Sequence, residues 1–147
     1  MEAHGMAGHL IRRLHQLSTQ VFMTRAREAG FDLTQVQFAA MDAIRAHPGI
    51  DQASVAALIA YDRATIGGVI DRLVAKGFVA REVSGRDRRA REVRLTAEGE
   101  RQFEALLPLV RALQDEILGK LSAAERAQFL DLARRSIADE RLGGAQP

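Results

Sequence analysis

Residues 61–96, YDRATIGGVIDRLVAKGFVAREVSGRDRRAREVRLT, constrain the fold more than any other part of the chain. Asp62 is a strong helix N-cap, because a carboxylate accepts from the backbone N–H groups that a helix start leaves unpaired. From 63 to 76 the apolar residues fall at Ile66, Val69, Ile70 and Leu73, the spacing of one buried helix face. The opposite face carries Ala64, Gly68, Asp71 and Ala75, flanked by Thr65 and Arg72 on one side and by Arg63 and Gly67 on the other. It is small and polar, where an ordinary surface helix carries long Glu and Lys side chains. A glycine inside a helix costs about 1 kcal/mol against alanine. The adjacent Gly67 and Gly68 therefore point to a backbone that must come close to something. Gly77 stops the helix at the position that favours a left-handed residue.

A hairpin follows at once. Residues 78–83 and 90–95 alternate, with Val79 and Val83 on one face and Val93 and Leu95 answering them, and Ser84-Gly85 begins the turn. Between Arg81 and Arg94 there are six arginines (81, 86, 88, 89, 91 and 94) against the acids Glu82, Asp87 and Glu92. A charged hairpin is also how a sheet edge avoids pairing with another chain, so the tip by itself leaves two readings open. Beside a glycine-floored helix it has the layout of a winged helix-turn-helix, with a helix in the major groove and an arginine wing in the adjacent minor groove. The expected fold is mainly α with a small β-hairpin wing. The candidate DNA contacts are Arg63, Thr65, Gly68 and Arg72 on the helix and Arg86, Asp87, Arg88 and Arg89 on the wing. Asp71 faces the same side, where an unpaired carboxylate would repel phosphate, so an ion pair with Arg89 or Arg91 is expected.

The flanking elements complete this layout. Thr34 and Gln37 form a capping box that opens a helix with Phe38, Met41 and Ile44 inward, ended by Pro48-Gly49. Ile50 suits a short strand against the wing. A short helix over 53–59, with Val55, Leu58 and Ile59 inward, leads through Ala60-Tyr61-Asp62 into the recognition helix, which is helix-turn-helix spacing. A first helix over about 8–29 carries Leu10, Leu14, Leu17 and Val21 as its stripe, with Gly30 after it and frayed residues 1–7 before it. Thr96 caps a long helix to about 118, with Pro108 inside it expected to kink it or remove a hydrogen bond. Ser122 and Glu125 form a second capping box for a last helix with Phe129, Leu130, Ala133 and Ile137 inward. The tail 143–147 has a disordered composition. The whole is expected to be one domain, residues 1–147, with a DNA-binding lobe over about 34–96. The helices over about 8–29 and 97–138 carry more apolar surface than that lobe can absorb. They are expected to dimerise, although a larger monomeric bundle would use the same stripes.

The residues Leu33-Thr34, Gln37-Phe38, Pro48-Gly49-Ile50, Asp62-Arg63-Ala64-Thr65, Asp71-Arg72-Leu73, Lys76-Gly77-Phe78-Val79, Asp87-Arg88-Arg89-Ala90, Leu95-Thr96 and Gly99 occur in one order and spacing. Together they resemble the MarR family of bacterial transcription regulators over roughly residues 8–137. The resemblance implies a homodimeric repressor on double-stranded, pseudo-palindromic DNA, released by a small molecule, a metal or an oxidant. Its wing pattern D-x-R implies that Asp87 holds Arg89 for the minor groove while Arg86 and Arg88 meet phosphates.

Composition narrows the signal. The chain has no cysteine, which excludes disulfides, thiolate metal sites and thiol oxidation. No run approaches the ~18 apolar residues of a membrane span, and no signal-peptide core opens the chain, so a cytoplasmic protein without membrane contact is expected. The net charge is only +2 over 147 residues, so the local arginines, not bulk charge, carry the nucleic-acid reading. The histidines, His4, His9, His15 and His47, show no i, i+4 pair or HExxH, and no nucleophile triad or phosphate loop occurs. No enzyme, metal or cofactor is expected.

One row has ligand chemistry. His15, Thr19, Phe22 and Ala26 line up beside the first stripe and combine a titratable donor, a hydroxyl and a ring, which suits a small aromatic acid or phenol. A half-buried interface row with His15 bonded to a carbonyl is the other reading. The family resemblance places the pocket where His15, Thr19 and Phe22 meet Phe38 and Met41. The expected function is thus a ligand-released repressor. A constitutive or architectural DNA binder is the alternative, and a helical adaptor protein with a merely solubilising hairpin is a third class.

Overall fold

A computed structural model describes residues 1–83 and 91–138. The turn at Ser84-Gly85, the wing residues Arg86, Asp87, Arg88 and Arg89, and the tail 143–147 lie outside the described residues. In chain order the elements are α1 (Ala7–Glu28), α2 (Gln35–Ala46), β1 (Ile50–Asp51), α3 (Gln52–Leu58), α4 (Ile66–Ala75), β2 (Val79–Val83), β3 (Arg91–Leu95), α5 (Ala97–Ile117) and α6 (Ala123–Ile137). The chain divides into two compact units, Met1–Leu113 and Gln114–Pro147. The fold is a winged helix-turn-helix with flanking helices, and among the described residues no helix is long and apolar enough to cross a membrane.

The helix starts follow from short polar side chains. Both capping boxes form, Thr34 with Gln37 and Ser122 with Glu125. Thr96 Oγ1 accepts from Gly99 N at 3.0 Å, opening α5, and donates to Gly77 O at 2.6 Å. Asp51, not marked as a cap from sequence, accepts from Ser54 N at 2.9 Å and starts α3 one residue earlier than expected. Residues 1–7 are more regular than frayed: Glu2–Gly5 is a 3₁₀ turn. Gly77 closes α4 at φ +78°, with Phe78 N donating to Leu73 O at 3.0 Å and Gly77 N to Val74 O at 2.9 Å. That is the Schellman pattern for which glycine is favoured.

The sheet is antiparallel in the order β1-β3-β2, with Ile50 opposite Val93 on one side and Val79 opposite Leu95 and Arg81 opposite Val93 on the other. Val93 and Val79 are buried, but Val83 is 63% exposed. The alternation that groups Val83 with Val79 continues beyond the part of the sheet that the helices cover. In the larger unit the core gathers Val55, Ile66, Val69, Ile70, Leu73, Phe103 and Leu106 around Met41 and Ile44. The rings of Phe22, Phe38 and Phe103 join α1, α2 and α5, with centroids 6.1 Å and 4.8 Å apart along the row. Arg45 lies over Phe103 at 5.1 Å and pairs with Glu100 at 2.9 Å.

Several inward assignments fail. Leu58 is 57% exposed and Ala56 takes its place in the core, because α3 has only seven residues and its buried side runs through 55 and 56. The α1 stripe, which the sequence assigns to a partner rather than to this core, is a separate case: the buried residues of α1 are Phe22 and Ala26, and Leu10 and Leu17 are 49% and 42% exposed in the single chain. In the second unit α6 has no buried residue, and Ile137 is 81% exposed.

Candidate nucleic-acid interface and effector cavity

The recognition helix starts later than the sequence indicates. Residues 63–65 form a turn in which Asp62 O accepts from Thr65 N and Ile66 N, each at 3.1 Å, while Asp62 Oδ1 accepts from Ala64 N at 3.2 Å. Asp62 therefore caps this lead-in turn, and Thr65 occupies the N-cap position of the regular helix. Ile66, Val69, Ile70 and Leu73 are buried as their spacing requires. Arg63, Thr65, Gly68 and Arg72 are exposed, and a Cβ built on Gly68 meets nothing within 4 Å. Thus the open face of α4 carries the candidate residues together. The wing candidates Arg86, Asp87, Arg88 and Arg89 fall in the undescribed segment.

Asp71 is paired, but not with Arg91: its Oδ1 accepts from Arg81 Nη2, on β2. Strand register explains the choice. Arg81 sits opposite Val93 in the body of the sheet, two residue pairs nearer the helix end than the Val83–Arg91 pair, so it reaches the middle of α4. Arg81 was missed because its place in a strand, not its spacing from Asp71, brings the two together. A polar cavity of about 600 Å³ opens here, walled by Asp51 and Gln52 of α3, Arg63, Gly67 and Asp71 of the recognition segment, and Arg81 and Arg91 of the hairpin. Asp51 is occupied by Ser54 and Asp71 by Arg81, while Arg63 and Arg91 make no ion pair among the described residues. The Ser54 backbone N–H and then its hydroxyl hold the Asp51 carboxyl below its ordinary pKa. The Gln52 Oε1 atom is buried without a hydrogen-bond partner among the described residues, an acceptor left for an incoming donor or a water. This surface has the charge and the donors that a nucleic-acid backbone requires.

A second cavity, about 770 Å³, lies between α1, α2, the helix-turn-helix turn and α4. His15 and Thr19 line it, as the ligand row anticipates, with Met23, Val36, Ala39, Ile59 and Val69 as apolar wall and Tyr61 and Arg72 as polar edge. Phe22 and Met41 do not reach it. They are core residues with 1% and 0% exposure, and Phe38 is stacked on Phe103. Ring residues at helical spacing from a ligand row are here the packing beneath it. Thr19 Oγ1 donates to Gln35 Oε1 at 3.1 Å, and Gln35 Nε2 donates to Ser18 Oγ at 2.7 Å, so α1 is tied to the start of α2 at the cavity rim. The side chains of His15 and Arg72 make no hydrogen bond or ion pair among the described residues, and no Asp or Glu lines the cavity. Ala60, also in the wall, has φ +53°, a left-handed conformation that alanine adopts at a cost of about 1–2 kcal/mol.

The matches to known proteins agree with this geometry. The MarR family model matches residues 31–90, from just before α2 to the residue before β3. The transcriptional repressor NicR of Pseudomonas putida is 36% identical over 137 residues, covering 92% of this chain and 85% of that one. The structure of the PcaV transcriptional regulator of Streptomyces coelicolor with its natural ligand superposes with a TM-score of 0.80 at 33% identity, covering 92% of this chain and 94% of that one. A structure of Bordetella bronchiseptica BpsR, whose DNA binding is regulated by 6-hydroxynicotinic acid, superposes with a TM-score of 0.82 at 32% identity, covering 92% and 96%. The chain is a winged-helix transcriptional regulator and belongs to the MarR family.

Proposed function

We propose that this chain is a homodimeric, cytoplasmic repressor that a small aromatic acid releases from its operator, with no catalytic activity of its own. The observation that carries this reading is the larger cavity: a histidine and an arginine with no partner among the described residues face an apolar space with no carboxylate in its wall. An apolar pocket with a few convergent polar groups is the usual form of a small-molecule site. Arg72 supplies a cationic fork and His15 a ring N–H donor for a carboxylate, and Met23, Val36 and Tyr61 supply ring contact. BpsR, regulated by 6-hydroxynicotinic acid, supports the ligand class. The dimer rests on Leu10, Ile11 and Leu17 of α1, all more than 40% exposed in the single chain. Burying such a stripe against a second copy gains about 25 cal/mol per Å² of apolar area. Arg63, Thr65, Gly68 and Arg72 face the major groove in this reading. Asp87 orients Arg89 for the minor groove, and Arg86 and Arg88 meet phosphates.

The test is a thermal-shift series with 6-hydroxynicotinate, benzoate and 4-hydroxybenzoate, each against its neutral amide. A ligand at one hundred times its Kd stabilises the folded state by about 2.7 kcal/mol. A rise in Tm with an acid and none with its amide supports the reading. No rise with any acid refutes it and leaves a constitutive DNA binder. Light scattering at micromolar protein checks the dimer.

A further inference from the structure

Arg72 belongs to both candidate sites. It is exposed on the recognition helix, four residues after the open Gly68. It also lines the larger cavity beside Val69, whose side chain is 3% exposed. Position 72 therefore stands on the edge where the open face of α4 meets the cavity. Its guanidinium has no partner among the described residues, and Asp71 beside it in sequence is taken by Arg81.

We infer that Arg72 couples the cavity to DNA by serving one anion at a time: a phosphate when the cavity is empty, the carboxylate of a bound aromatic acid when it is filled. This rests on the reading of the cavity as an acid-binding site. A guanidinium stays charged at any physiological pH and presents one planar fork of donors, which a carboxylate or a phosphate engages bidentately. The acid and the DNA thus compete for the same donors, and by linkage each weakens the other by the same factor. His15 differs in kind. It lies on α1 and not on the groove-facing helix, so it adds affinity for the acid without touching the DNA.

Counterion release makes the difference measurable. Each phosphate contact contributes about 0.9 to the slope of log K against log salt on duplex DNA. Wild type, Arg72→Ala, Arg72→Lys and His15→Ala are titrated by fluorescence anisotropy onto a duplex selected by the wild type from a random library. Each is measured at several salt concentrations, with and without saturating 6-hydroxynicotinate, benzoate or 4-hydroxybenzoate. In the wild type the acid lowers the slope by about 0.9 per protomer. Arg72→Ala starts at the lower slope, the acid leaves that slope unchanged, and release falls below about fivefold, the lower end of ordinary coupling. Arg72→Lys keeps the charge and the starting slope but binds the acid at least fivefold more weakly, because an ammonium lacks the fork. His15→Ala requires more acid yet shows the full slope change at saturation. A full slope change in Arg72→Ala overturns the inference, as does acid-driven release of wild type at constant slope, and both leave the acid site itself intact. Failure of every acid to bind the wild type overturns the site and the coupling together.

Discussion

Replacing Gly99 by alanine should destabilise the protein although it puts a better helix former into a helix. Gly99 is buried in the first turn of α5. A Cβ there would lie 2.0 Å from Phe78 O, 2.9 Å from Phe78 C and 3.1 Å from Phe78 Cα, so an ordinary contact requires the two backbones to part by about 1.4 Å. The Phe78 carbonyl has no freedom to swing away. It accepts from Thr96 N at 3.0 Å, and Phe78 N is held by Leu73 O at 3.0 Å. Moving α5 instead pulls Thr96 Oγ1 from Gly77 O and strains the cap on Gly99 N. Overpacking costs about 1–3 kcal/mol and a damaged cap about 0.5–2 kcal/mol, against a helix-propensity gain of at most about 1 kcal/mol. The net expectation is a loss of about 2–3 kcal/mol, a fall in Tm of about 5–10 °C for a chain of this size. Urea unfolding followed by circular dichroism, at one fixed protomer concentration because a dimer's stability depends on it, should show a lower midpoint at unchanged slope. Gly68→Ala is the matched control. It has open space around it and should gain about 0.5–1 kcal/mol. Gly99→Ala at wild-type stability, or both variants shifting in the same direction, refutes the close-approach reading.

Gly68→Leu should fold with wild-type stability and lose DNA binding, since a branched side chain on the open face holds α4 off the groove floor; normal affinity for the selected duplex would show that this face is wrongly assigned. Asp51→Ala should cost about 1 kcal/mol at pH 7 through loss of the α3 cap. The bonds from Ser54 lower the folded pKa of Asp51, so its contribution is present above the unfolded carboxylate pKa of about 3.9 and fades as pH falls through the lower folded value; a gap between variant and wild type that stays constant down to pH 2 contradicts this. Arg89→Ala should weaken binding and narrow the preference between A·T-rich and G·C-rich flanks, and unchanged affinity at moderate salt would falsify the minor-groove role.

Local signals in this chain survived wherever one short side chain decides a backbone. Thr34, Ser122, Thr96 and Gly77 each act within three residues of themselves, so their roles were legible from the sequence. The apolar face of α4 was legible for the related reason that four residues in ten fix a helical phase. Phe22 and Met41 show where this stops. A ring or thioether at helical spacing looks the same whether it roofs a ligand or fills the core, and for Phe22 on α1 the choice was made by Phe38 of α2 and Phe103 of α5 joining it in one row of rings. The same holds for Leu58 and Ala56, because a helix of two turns has too few residues to fix its phase. Arg72 was assignable to the DNA face from its spacing, but its second position on a cavity wall depends on how α1 crosses the helix-turn-helix turn, which no window of sequence contains.

The pairing of Asp71 with Arg81 joins α4 to β2, so it ties the groove-facing helix to the base of the wing. Asp71 is 63% exposed and Arg81 17%, and an ion pair this open contributes only about 0–1 kcal/mol to stability. Its consequence lies in DNA binding, where two effects have opposite signs. Removing Asp71 removes a negative charge near phosphates and frees Arg81, so binding to random duplex should tighten and its salt slope should steepen. If the pair also holds the wing in register with α4, the same variant should bind the selected duplex less well relative to random DNA. A double-mutant cycle of Asp71→Ala and Arg81→Ala on both duplexes separates the effects. Coupling on the selected duplex alone is the signature of a positioning role. Strict additivity on both, with Asp71→Ala tightening each equally, would reduce Asp71 to a repulsive charge that the DNA face carries for some other reason.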